Sequence, residues 1–201
     1  MKTYIIKPGK HFPKWPPYSF RGPVLRFGKR SVTVEYTVVF GVMTEYHLGN
    51  HNQKDWNKFP GIVWGLNPQK FSARFGWRYL PESGTWEIGY YVHDGDKQAI
   101  YPEVANKHVL ECHRGLPYRL KIVDDGEAYH FYVQGKHYHT VSKQQKTPWY
   151  GYRVGPYFGG DEVAPTELWV IADKNMDWKE LVNLDKQWMT HTRNLNANRT
   201  S

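Results

Sequence analysis

The stretch that most constrains this chain is Phe71 to His93, FSARFGWRYLPESGTWEIGYYVH. Strand side chains alternate between two faces with period two. Phe71, Ala73, Phe75, Trp77 and Tyr79 therefore share one face, and Ser72, Arg74, Gly76 and Arg78 the other. After a turn at Pro81-Glu82-Ser83-Gly84, Trp86, Ile88, Tyr90 and Val92 alternate with Glu87, Gly89, Tyr91 and His93. Pairing Tyr79 with Trp86 sets Trp77 against Ile88, Phe75 against Tyr90 and Ala73 against Val92. The opposite face then pairs Arg78 with Glu87, Arg74 with Tyr91 and Ser72 with His93. A slip of one residue would turn the arginines toward the tryptophans, so the register is well specified. The hairpin has one core face and one face bearing Arg, Tyr and His.

The rest of the 201 residues supplies further strands. Residues 3–7 suit a short edge strand, and residues 8–23, rich in Pro, Gly and aromatics, an extended loop. SVTVEYTVVF at 31–40 alternates cleanly. FPGIVWG at 59–65 suits a short strand or a packed loop, and a weaker strand is expected near 99–104. YRLKIVD (118–124) and AYHFYVQ (128–134) flank Asp125-Gly126, a hairpin signal, and a turn at Gly135 leads into 137–142. Segments 150–158 and 167–172 complete a set of nine to eleven strands. Only the end reads as helical: Trp178, Leu181, Val182, Trp188 and Met189 follow a 3.6-residue stripe. The expected fold is all-β, an antiparallel two-sheet β-sandwich of the jelly-roll, concanavalin-A-like kind. It would form a single domain over 1–190, with a helix at about 175–190 packed on it and a flexible tail at 191–201.

Composition narrows the partners. Lys plus Arg exceeds Asp plus Glu by 27 − 19 = 8, which favours anionic ligands. No block of five or more basic residues occurs, which argues against a nucleic-acid arm. With one cysteine, Cys112, there is no intrachain disulfide and no cysteine-based zinc site. No stretch is long and apolar enough for a signal peptide or a bilayer span. The expected location is cytoplasmic, or secreted after removal of a signal. Oligomeric state, the identity of the sugar and calcium between loops have no signature in the sequence, and no cofactor is expected.

Three groups of residues carry candidate chemistry. The first is the polar hairpin face: Ser72, Arg74, Arg78, Glu87, Tyr91 and His93. Arg74 and Arg78 belong to a row whose members stand roughly 6–7 Å apart, and an arginine fork takes a carboxylate bidentately. Glu87 neutralises Arg78, leaving Arg74 for a ligand, while Tyr91 and His93 offer a proton donor and acceptor. β-Elimination on a uronic acid asks for that combination: a cation on the carboxylate, a base for the adjacent proton and an acid for the leaving oxygen. Ordinary cross-strand pairs on an exposed sheet would produce the same face. The second group, His130, Tyr132, Gln134, His137 and His139, shares one face if the Gly135 turn is tight. It suits a polar binding surface better than a metal, and no metal site is assigned. The third is Gly155 to Asp161, GPYFGGD, a glycine corner whose Tyr157 and Asp161 would edge a cleft.

Several of these residues fall into a known pattern. Lys58-Phe59-Pro60-Gly61, Ser72-Ala73-Arg74, Trp77-Arg78, Glu87 and Tyr91, with GPYFGGD and Ala164-Pro165 later on, resemble jelly-roll polysaccharide lyases of the glucuronan-lyase and alginate-lyase types. The resemblance covers roughly 58–93 and 150–171, under half of the chain. It implies two sheets bent into a groove that takes uronic-acid chains, with Lys58 and Arg74 on the carboxylate and Tyr91 as the catalytic tyrosine. Gly89 stands where those families tend to place another tyrosine. The expected function is action on an acidic polysaccharide or oligosaccharide, as a β-eliminating lyase or as a non-catalytic carbohydrate-binding or structural module of the same fold.

Overall fold

The computed structural model describes residues 2–13, 22–26, 30–95, 99–103 and 109–174, together with Met176 and Thr190. The helix expected at 175–190 and the tail at 191–201 lie almost wholly outside the described residues. Among the described residues, twelve antiparallel strands form two six-stranded sheets. In chain order they are β1 (Thr3–Ile6), β2 (Pro23–Leu25), β3 (Val32–Val39), β4 (Asn57–Trp64), β5 (Phe71–Leu80), β6 (Thr85–Asp94), β7 (Leu110–Cys112), β8 (Pro117–Asp124), β9 (Ala128–Val133), β10 (Lys136–Ser142), β11 (Tyr150–Val154) and β12 (Leu168–Asp173). One sheet runs β1-β12-β3-β8-β9-β10 and the other β2-β11-β4-β5-β6-β7. The protein is an all-β, two-sheet sandwich of the jelly-roll kind.

The hairpin β5–β6 takes the expected register, Tyr79 opposite Trp86 and Ser72 opposite His93. Its apolar face packs between the sheets with Phe40, Phe59 and Phe131. Trp86 stacks on Phe40 at 5.3 Å, and Phe75 meets Phe131 edge-on at 5.1 Å, two of the preferred geometries for buried rings. At the far end of the sandwich Asp124 of β8 joins the sheets: Trp64 Nε1 of β4 donates to it at 2.6 Å and Lys143 Nζ at 2.7 Å, and Arg26 pairs with it.

Three differences from the sequence reading have local causes. Residues 59–64, expected as a short strand or packed loop, belong to a longer central strand, β4, which lies between β5 and β11. In the described part of 99–104 there is no strand, only a bridge between Ile100 and Val92. The two strands the pattern missed, β2 and β7, have three residues each, too short for alternation to register.

Candidate functional site

The outer face of the β4–β5–β6 sheet carries a cleft of about 250 Å³ lined by Lys58, Ser72, Arg74, Tyr91, His93 and Tyr157, with Pro68, Gln69, Gly160 and Asp161 as walls. β5 and β6 place Arg74 beside Tyr91 and Ser72 beside His93 by simple pairing. Lys58 needs a further device. Lys58 pairs with Gly76 and Gly61 with Arg74, so three steps along β4 match two along β5. This bulge puts Lys58 and Gly61 on the same face, where a regular strand would oppose them. Pro60, which has no N–H to offer the ladder, sits inside the bulge, and its carbonyl accepts from Tyr36 Oη at 2.8 Å.

The walls are tied down by polar contacts. Tyr157 bridges to Lys58 through paired backbone hydrogen bonds and stacks on His11 at 5.0 Å. Buried Asn57 accepts from the Gly159 N–H at 2.6 Å. Ser72 Oγ donates to the Pro68 carbonyl at 2.7 Å, so this hydroxyl anchors a wall. Asn57, Pro68 and Gln69 escaped the sequence reading, because an Asn at a strand start and a Pro-Gln turn give no sign of which face they border.

The electrostatics of the cleft follow from burial among cations. Lys58 Nζ donates to the Gly159 carbonyl at 3.0 Å and lies 4.5 Å from the centre of the Tyr91 ring. Burial, and then the Arg74 guanidinium, bring its pKa down to about 7, against the opposing pull of Asp55 and Asp161. His93 is lowered to about 4 by burial, Arg74 and Lys58, so it is neutral at neutral pH, and its buried Nδ1 has no hydrogen-bond partner in the protein. Tyr91 is pushed up, mainly by burial and then by Tyr101, whose ring lies parallel to it at 5.7 Å. The site thus holds the buried Arg74 guanidinium, a lysine that exchanges its proton near neutral pH, a neutral imidazole and a protonated phenol.

Other expected site residues lie elsewhere. Arg78 is bound to Glu87 at 2.6 Å and to Glu103 at 2.5 Å, with its guanidinium 4.4 Å from the Trp56 ring. Trp56 lies over Gly76 and Gly89 and separates this cluster from the cleft. A Cβ on Gly89 would come within 2.6 Å of Pro102 and 2.9 Å of Trp56, so no tyrosine fits there.

His130, Tyr132, Gln134, His137 and His139 belong to the other sheet and its β9–β10 turn. His130, Tyr132 and His137 do share a face, where both histidines reach Thr140 Oγ1, but His139 does not. A bulge between His137 and His139 turns His139 inward, onto the Tyr90 ring at 4.1 Å. His130 binds Asp125 and Thr140, and Gln134 Nε2 donates to the Pro117 carbonyl. Among the described residues, no three His, Cys, Asp or Glu side chains are grouped to hold a metal, and no helix is long and apolar enough to cross a membrane.

No family model matches the chain, and no curated protein does. Solved structures give partial resemblances. One is a polysaccharide lyase of family 18: 10% identity, TM-score 0.39, covering 63% of this chain and 52% of that one, so the chain spans about half of its length. Another is the CBM40 of a Ruminococcus gnavus IT-sialidase, 9% identical, TM-score 0.32, covering 78% and 83% of the two chains, which has also been solved bound to α2,3-sialyllactose. A third is sheep galectin-11 with glycerol, 13% identical, TM-score 0.30, covering 75% and 99%. Similarities of this size assign no role to any residue of this chain.

Proposed function

We propose that the cleft binds a uronic-acid-containing polysaccharide and cleaves it by β-elimination. The observation that carries this reading is the meeting of Arg74, Lys58, His93 and Tyr91 in one cleft, the last two held neutral. Arg74 and protonated Lys58 take the uronate carboxylate, which withdraws charge from the adjacent carbon and acidifies its proton. His93 accepts that proton. The electron pair left behind forms a carbon–carbon double bond as the glycosidic C–O bond breaks, and the departing oxygen takes a proton from Tyr91. Solvent then restores both groups.

A second reading, a module that binds the same chains without cutting them, is favoured by the parallel Tyr91–Tyr101 pair, since stacked rings serve adhesion to a sugar equally well. Incubation with a panel of uronic-acid polymers, followed by ultraviolet absorbance of the unsaturated product and by binding isotherms, separates the two. Rising absorbance supports cleavage, and binding without absorbance supports the module. Absence of both, or equal binding to neutral glucans, overturns the assignment to acidic chains.

A further inference from the structure

Beyond the cleft, the same sheet ends in a group of large apolar side chains that the core does not use. Trp149 is 61% exposed, Tyr150 40%, Leu25 47% and Leu66 80%. They form one patch. Tyr150 of β11 pairs with Leu25 of β2, the Trp149 carbonyl accepts from the Arg26 N–H, and Gly65 donates to the Tyr150 carbonyl. The Trp149 and Tyr150 rings meet edge to face at 5.5 Å. Clustered exposed rings of this kind mark a contact surface.

The patch lies on the same sheet face as the cleft, with the buried Val63 and Tyr152 between them. Ser72 pairs with Val63 and Val63 with Tyr152, so these residues and Tyr150 stand on one outer face. Two strands and two residues separate Ser72 from Tyr150, roughly 12 Å at ordinary sheet spacings. The Leu66 carbonyl accepts from Tyr152 Oη, and the chain runs straight on from Leu66 into the cleft wall at Pro68 and Gln69. We propose that the Trp149–Tyr150 rings, with Leu25 and Leu66, form a distal platform for further sugar rings of the acidic chain whose uronate occupies the cleft. The protein would then be built for long chains and not for short fragments. This rests on the reading of the cleft given above. A second copy of the chain is the weaker occupant, because each copy carries a net +8, which sets like charge against like. The neighbouring strand β2 is also short and begins with Pro23, a poor template for edge pairing.

The test measures binding of a long uronate polymer and of its short fragments to the wild-type chain and to Trp149→Ala, with Leu66→Ser as a second variant at a more exposed position. Trp149→Ala should lose about tenfold in affinity for the polymer, as truncation of an aromatic anchor does, and keep its affinity for short fragments. The lost factor should be the same at low and high salt, because ring stacking is not an ionic contact, whereas cleft binding itself weakens with salt. Polymer affinity unchanged in both variants overturns the platform and leaves the cleft reading standing. Wild-type protein that binds neither polymer nor fragment overturns both. Sedimentation showing a wild-type dimer that Trp149→Ala dissolves assigns the patch to self-association and overturns the platform.

Discussion

Gly61 lies directly beneath the side chain of Arg74: a Cβ on Gly61 would stand 2.7 Å from Arg74 Cγ and 2.3 Å from the Ala73 carbonyl oxygen. The glycine of the Lys58–Gly61 run is thus what lets the arginine lie across β4 into the cleft. Gly61→Ala should displace Arg74 and strain the β4–β5 ladder, at ~1–3 kcal/mol of stability, the usual cost of overpacking. Affinity for uronate chains should fall as far as it does in Arg74→Ala. Urea unfolding and binding isotherms on both variants check this, and Gly61→Ala with full affinity would refute the positioning role.

Trp56 is the partition between the cleft and the Arg78 cluster. It is buried over Gly76 and Gly89, and its Nε1 donates to Glu103 at 2.9 Å. Trp56→Ala should cost ~3–5 kcal/mol, in the range for truncating a buried large aromatic, and release Arg78 toward the cleft. The urea midpoint should drop with little change in slope. Gly89→Ala should destabilise by driving Trp56 and Pro102 apart.

Legibility in the sequence followed the reach of each interaction. The hairpin register could be read because period-two alternation and a tight turn are local, and a wrong register carries a visible penalty. The grouping of Arg74, Tyr91 and His93 came with it. The β4 bulge hides from pattern reading, since three-residue spacing between Lys58 and Gly61 looks like opposite faces until the ladder slips by one. His139 fails for the same reason in reverse: a bulge sends it inward where alternation keeps it with His137. Strand pairing alone sets Arg78 against Glu87, but Glu103 and Trp56, which hold Arg78 away from the cleft, arrive from distant loops.

The Asp124 cluster should behave as a buried ionic unit. Asp124 and the Lys143 side chain are almost wholly inaccessible, and Arg26 is mostly covered. Removing the carboxylate strands two cations, so Asp124→Ala should cost ~3–5 kcal/mol. Lys7, whose pair with Glu167 is open to solvent at the lysine end, should tolerate Lys7→Ala within ~1 kcal/mol. Denaturation midpoints of the two variants, measured side by side, decide this. Equal effects would show that burial does not govern these pairs.

The cleft also sets a pH dependence whose sign is fixed. His93 in the folded protein takes its proton only near pH 4, against 6.5 for an ordinary histidine. Between those values the unfolded chain binds more protons, so stability rises with pH through this window and is lost as pH falls through it. Lys58 acts likewise between about 7 and 10.5, where the folded amine is neutral and the unfolded one charged. His93→Gln should flatten the acid limb of the stability profile. Lys58→Met should flatten the alkaline rise and stabilise the protein at neutral pH and below, where its charge is otherwise held against burial. Ligand binding runs the opposite way. Lys58 contributes its charge to a bound carboxylate below about pH 7, so affinity for an anionic chain should fall as pH climbs beyond that point. A bound carboxylate draws the lysine pKa upward, moving the midpoint of that fall above the value in the free protein. Lys58→Met should bind more weakly at low pH and lose the alkaline fall. A Lys58→Met variant that kept the same pH slope would place the titrating group elsewhere in the cleft.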